Sequence, residues 1–162
     1  MPTTDEVRGA EGEGFSLPLR GFPFRSTGNP LHVEPTSTFS YTMPDRLDAL
    51  SELRTELRAW LSRSGVDRET AEDVVLAAWE VCANAVEHPV DPEHHDVTLV
   101  ATAGATGLCI VVEDTGSWRG SVSRPGRGLG LRIARAMVDR MSIVRRGPGT
   151  EVVLWRSTGG HA

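Results

Sequence analysis

The sequence predicts an α+β domain of two layers, a largely antiparallel sheet with its amphipathic helices packed on one face. Three observations lead there. A short alternating stretch is followed by two segments whose apolar residues recur at helical spacing. Strand-like runs then come in two pairs, each joined by a short Gly-bearing turn, which favours antiparallel neighbours. No internal repeat interrupts that order.

Taken in order, residues 1–33 are rich in Gly, Pro and charge, with an apolar patch in FSLPLRGFPF, and are expected to form a flexible tail or linker. A single domain is expected over 34–157, with 158–162 as a short tail. TSTFSYTM (36–43) alternates as a strand does. Asp45 offers an N-cap for a helix running to about Ser64, with Leu47, Leu50, Leu53, Leu57 and Leu61 as its apolar stripe and Gly65 as its stop. Asp67 opens a second helix, and Pro89 ends it soon after His88. DVTLVAT (96–102) and GLCIVVED (107–114) read as strands joined at AGA, the second apolar enough to be central. The loop TGSWRGSVSRPGRG leads to a third helix from about Leu129 to Arg140, and MSIVRR, GPG and TEVVLW make a closing hairpin. The resulting order is β-α-α-β-β-loop-α-β-β.

A chain of 162 residues is long enough for one domain with a real core. Its net charge of −5 argues against a general nucleic-acid or anionic-membrane binder. No apolar run approaches the roughly 20 residues that span a bilayer, and no secretory signal is apparent. Cys82 and Cys109 fall in apolar surroundings without metal-ligand spacing, as expected of free thiols in a cytoplasmic protein. The chain contains no lysine. A P-loop and a eukaryotic-type protein-kinase site both need one, so both are excluded.

Several short stretches carry candidate chemistry. EDTGSW ends the central strand with Asp114, which can accept a hydrogen bond from an exocyclic amine, while Gly116 allows close backbone approach; Asp-x-Gly is equally ordinary turn chemistry. RPGRGLGLRIA places Gly126, Gly128 and Gly130 at alternate positions around a helix start, where unpaired amides and the helix dipole suit an anion. The same glycines fit a flexible linker, and the stretch is no dinucleotide fingerprint, because Leu131 stands where a third Gly is needed. Arg119, Arg124 and Arg127 flank this loop, as phosphate ligands or as solvated side chains. Thr150 begins the last strand.

Within LAAWEVCANAVEHP, Glu80, Asn84 and His88 recur every four residues and so share one helix face. Asn84 can offer a neutral oxygen to Mg²⁺, and Glu80 can take a proton from an attacking hydroxyl or water. A half-exposed face paired with arginines would look the same. His88 fits a hydrogen-bonding role at the helix end, and Glu93, His94 and His95 lack further metal ligands in register.

EVCANAVEH, VEDTGSW, GRGLGL and GTEVVL, in that order, resemble the N, G1 and G2 boxes and closing Gly-Thr of the GHKL (Bergerat-fold) ATP-binding superfamily. The short span from DTGSWRG to RPGRGLGL is similar to the anti-sigma-factor serine kinases of bacterial partner-switching systems. The resemblance covers about Thr36 to Arg156. It implies a two-layer Bergerat-type sandwich with a mostly antiparallel mixed sheet. It further implies Asn84 as Mg²⁺ ligand, Glu80 as catalytic base, Asp114 and Gly116 at the adenine, Gly126, Arg127, Gly128, Leu129 and Gly130 along the phosphates, and Thr150 supporting the adenine site. The implied cofactors are ATP and Mg²⁺. The implied partners are a STAS-type anti-anti-sigma protein, a sigma factor, a fused or separate PPM-type phosphatase and a second copy of the chain, with no direct nucleic acid and no membrane. SWRGS departs from the stretch many relatives carry after G1, which bears on lid contacts and partner choice. Two functions fit: a serine kinase using Mg-ATP, and a nucleotide-gated module that sequesters a sigma factor without needing turnover. Glu80 favours the first, because binding alone needs no base.

Overall fold

Residues 36–44, 48–87, 96–115, 128–146 and 149–158 are described by the computed structural model. Alternation in the first strand, β1 (Ser37–Pro44), turns Phe39, Tyr41 and Met43 toward the helices and Thr38, Ser40 and Thr42 away. The helix α1 (Ala49–Arg63) lays Leu50, Leu53, Leu57 and Leu61 against the core, as the stripe predicts, and adds Trp60. Each such leucine contributes about 1.5–3 kcal/mol through burial. The Trp60 indole N–H donates to Ser37 Oγ at 2.8 Å, and its ring lies 5.8 Å from that of Phe39, which fixes α1 over β1.

The start of α1 differs from expectation. Asp45 and Leu47 lie outside the described residues, and Asp48 holds the N-cap position in helical conformation without a capping hydrogen bond. The end agrees: Gly65, at φ 75°, takes the left-handed turn that reverses the chain, and the Val66 amide donates back to Leu61. Asp67 then caps α2 (Arg68–Glu87), accepting from the Thr70 amide at 2.9 Å, and that bond holds its carboxyl below the usual range.

The helix α2 is buried on most of its circumference, with Val74, Val75, Ala77, Ala78, Val81, Cys82, Ala85 and Val86 all inside. Burial pushes the Cys82 thiol up to about 12. Strands β2 (Asp96–Gly104) and β3 (Gly107–Asp114) pair antiparallel, and their turn is Ala105-Thr106, sharing Ala105 with the expected AGA turn, because Gly104 and Gly107 close the ladder as partners. Helix α3 (Leu129–Met137) ends three residues before the expected Arg140. Val138 turns extended and buried there, and Arg135 donates to the carbonyls of Val138 and Asp139 at 3.3 and 3.4 Å. The last strands are β4 (Arg140–Arg146) and β5 (Gly149–Ser157).

These five strands form one sheet in the order β1-β2-β3-β5-β4, and every neighbouring pair is antiparallel. The sheet is therefore wholly antiparallel and not the mixed sheet that the resemblance implies. β3 and β4, linked through α3, point the same way but have β5 inserted between them. Leu99, Ile110 and Leu154 are fully buried at the centre of the face that meets the helices. Arg156 links that face to α2, donating to Asp73 at 3.0 Å. Among the described residues no helix is long and apolar enough to cross a membrane.

Candidate functional site

The strand register places the first two polar groups. β3 exposes Leu108, Ile110, Val112 and Asp114 to the helices in turn, and β5 presents Thr150, Val152 and Leu154 beside them. Asp114 is paired with Thr150, and both are buried, at 7 and 6 % exposure. Gly149 makes that juxtaposition feasible, since a Cβ there would collide with the Asp114 carbonyl oxygen. Among the described residues Thr150 Oγ1 has no hydrogen-bond partner. A buried hydroxyl left without a partner costs about 1–3 kcal/mol, a cost that a hydrogen-bonding group reaching it from beyond the described residues would relieve.

Over these strands lies α2, whose half-buried residues Glu80 and Asn84 stand one turn apart among buried apolar neighbours. Asn84 opens onto a solvent-facing pocket of about 280 Å³, lined also by Asp114 and Thr150 and walled by Val81, Val112, Leu131 and Val152. That is a slot of small apolar side chains with three polar groups at its edges, suited to a flat heteroaromatic ring. Glu80 lies one turn back along α2, and its carboxylate touches Gly130, where a Cβ would come within 2.5 Å of Oε2.

Gly130 belongs to the first turn of α3. Its predecessor Gly128 is the N-cap, at φ 101° in the left-handed region, and no side chain caps the amides of that turn. The start of α3 is therefore a backbone surface facing Glu80, with the positive end of the helix dipole beside an acid.

The fold thus gathers Glu80, Asn84, Asp114, Gly130 and Thr150 around one cleft. Leu129 is 60 % exposed and outside the pocket wall, where Leu131 stands instead. Gly116, Gly126, Arg127 and His88 lie outside the described residues. Sequence reasoning did not single out Leu131 and the valines as site residues. Their signal was only that they share helix and strand faces with the polar groups.

The profile of the histidine kinase-like ATPase domain matches residues 43–156. Among solved structures, the RsbU and RsbW domains of Rv1364c from Mycobacterium tuberculosis resemble this chain with a TM-score of 0.63 and 28 % sequence identity. The likeness covers 78 % of this chain and 34 % of that one, so this chain spans about a third of that protein's length.

Proposed function

The chain belongs to the histidine kinase-like ATPase family, and on that footing we propose that it is an ATP-dependent protein serine kinase and anti-sigma factor of a bacterial partner-switching system. One observation carries the nucleotide part of this reading. The buried hydroxyl of Thr150, without a partner among the described residues, and the carboxylate of Asp114 share the end of a solvent-facing slot walled by apolar side chains. Likeness to a structure containing an RsbW domain supports the partner-switching part.

In this reading the side chains of Val81, Val112, Leu131 and Val152 hold the faces of adenine. Asp114 accepts a hydrogen bond from its exocyclic amine, and the Thr150 hydroxyl bonds a ring nitrogen directly or through water. Asn84 offers its carboxamide oxygen to Mg²⁺, a hard cation that is satisfied by one protein oxygen together with phosphates and water. With no lysine in the chain, charge on the phosphates falls to that ion, to amides around Gly126, Gly128 and Gly130, and to Arg127. Glu80 takes the proton from the acceptor serine as its oxygen bonds to the γ-phosphorus, and ADP leaves as the bridging P–O bond breaks. The acceptor is a STAS-type anti-anti-sigma protein. In the alternative complex the chain holds a sigma factor, working as a homodimer opposed by a PPM-type phosphatase.

The test combines calorimetric titration of ATP, with and without Mg²⁺, and transfer of radiolabelled phosphate to a STAS-type protein. Asn84→Ala is expected to lose the Mg²⁺-dependent part of the affinity. Glu80→Ala is expected to keep binding and to lose transfer by about 10²–10⁴-fold. Transfer that survives in Glu80→Ala removes Glu80 as the base. Binding with no transfer in the wild type leaves a nucleotide-gated sequestering module, and no binding at all removes the nucleotide reading.

A further inference from the structure

Gly128 and Gly130 stand close together at the start of α3, and they are glycines for different reasons. Gly128 sits in the left-handed region at φ 101°, and a Cβ there would meet nothing within 4 Å. Backbone conformation is what demands a glycine at that position. Gly130 is the reverse case. It lies inside the helix and its φ is not positive, so its backbone is one that any residue adopts. Glycine is the poorest helix former after proline, and nothing in the dihedral angles at 130 calls for it.

Space calls for it instead. The three heavy atoms nearest to a Cβ at 130 all belong to Glu80: Oε2 at 2.5 Å, Cδ at 3.6 Å and Cβ at 3.9 Å. Among the described residues neither the backbone of α2 nor an apolar side chain comes as near. Ala134, one turn further along the same face of α3, is fully buried in the core, so this face of the helix is seated on the rest of the fold. The Glu80 carboxylate thus fills the hollow left by the missing side chain of residue 130.

The helix α2 fixes only the direction in which the Glu80 side chain starts. Several rotatable bonds then separate that start from the carboxylate, and a neighbour has to select among the resulting rotamers. The start of α3 is that neighbour. A carboxylate on a flexible stem yields more readily than backbone does, so a Cβ at 130 would turn Glu80 aside and would not lift α3 off α2.

We propose that Gly130 is a positioning residue for Glu80: by lacking a side chain it seats the Glu80 carboxylate against the first turn of α3 and so sets where that carboxylate points. The inference rests on the reading of Glu80 as the base. It adds a second task for Gly130, which acts through the acid as well as through its own amide. The proton acceptor and the start of α3 are then held as one unit, and the aim of the base depends on how α3 docks.

The experiment compares wild type, Gly130→Ala, Glu80→Ala and the double variant in steady-state phosphotransfer and in thermal melting. Gly130→Ala is expected to lower kcat by about 10–10²-fold and to change the KM for ATP by less than about threefold, because alanine keeps the amide and displaces only the carboxylate. In the Glu80→Ala background the same substitution is expected to change kcat by less than about twofold, since no carboxylate is left to move. Melting gives a readout independent of turnover. Gly130→Ala is expected to raise Tm by about 2–5 °C in Glu80→Ala, the gain in helix propensity, and by less than about 1 °C in wild type, where the displaced acid offsets that gain. Equal Tm shifts in the two backgrounds overturn the proposal, and so does a Gly130→Ala variant that keeps its kcat. A rise in KM with kcat retained overturns it as well, because Gly130 would then act on the phosphates alone. If the wild type transfers no phosphate, the kinase reading fails on its own, and the melting comparison still decides whether Gly130 seats Glu80.

Discussion

Two glycines at opposite ends of the sheet perform the same steric task. Gly149, at the start of β5, lies where a Cβ would strike the Asp114 carbonyl, and Gly107, at the start of β3, lies where a Cβ would come within 2.7 Å of the Arg156 carbonyl and 3.3 Å of the Trp155 ring. Beside each stands a buried polar atom without a partner among the described residues, Thr150 Oγ1 at one end and Trp155 Nε1 at the other. The difference is in what surrounds them. The Thr150 end faces α2 and opens on a pocket with Asp114 and Asn84, whereas the Trp155 end faces away from every described helix. Close backbone approach is thus used twice, once to assemble a site and once to seat an indole against a sheet. The chemistry nearby, and not the glycine, decides which.

Substituting each glycine separates these roles. Gly149→Ala forces β5 away from the end of β3 and so parts Asp114 from Thr150. It is expected to weaken ATP binding at least tenfold in titration calorimetry and to cost about 1–3 kcal/mol in denaturant unfolding. Gly107→Ala is expected to cost a similar 1–3 kcal/mol while leaving ATP affinity within twofold. Loss of affinity in both would mean that the two ends are coupled through the sheet, and the contrast would break.

A finer test removes one oxygen. Thr150→Val keeps the shape and deletes the partnerless hydroxyl, so the ligand-free domain is expected to gain about 1 kcal/mol of stability while ATP binds several-fold more weakly. Equal affinity in Thr150→Val would show that the hydroxyl is not a nucleotide contact. The smallest effect lies far from either end, at the α2 cap. Asp67 is held below its ordinary carboxyl pKa by the Thr70 amide, so its contribution is complete above the unfolded value and is lost as pH falls through the lowered folded value. Asp67→Asn should therefore flatten the acid side of the melting temperature against pH and change little near neutrality.

Much of this architecture was legible from residue patterns, because local physics set it. The leucines of α1, Gly65, the Asp67 cap and the β2–β3 and β4–β5 hairpins all follow from short-range spacing. Insertion of β5 between β3 and β4 did not, because no short stretch encodes a contact between strands separated by a helix. The end of α3 was placed late for a related reason: Ala136 and Met137 suit a helix, and Val138 leaves it for a buried extended position that only the sheet provides. At the site, Asp114, Asn84 and Glu80 stand out as polar residues in apolar runs. Thr150 is an unremarkable strand residue until Asp114 is beside it, and Leu131 looks no different from the exposed Leu129 until α3 has docked on α2.

The strand order also has a consequence for synthesis. β5 is the last of these five strands to leave a ribosome, yet it sits inside the sheet, bonded to β3 on one side and β4 on the other. Until it emerges, the nascent chain presents two unpaired strand edges with nothing between them, the situation in which chaperones bind and neighbouring chains aggregate. Thr150 and Val152 arrive with that strand, so the candidate pocket is complete only once β5 has joined the sheet. An arrested chain that stops before Gly149 would hold Glu80, Asn84 and Asp114 and still lack the floor of the pocket.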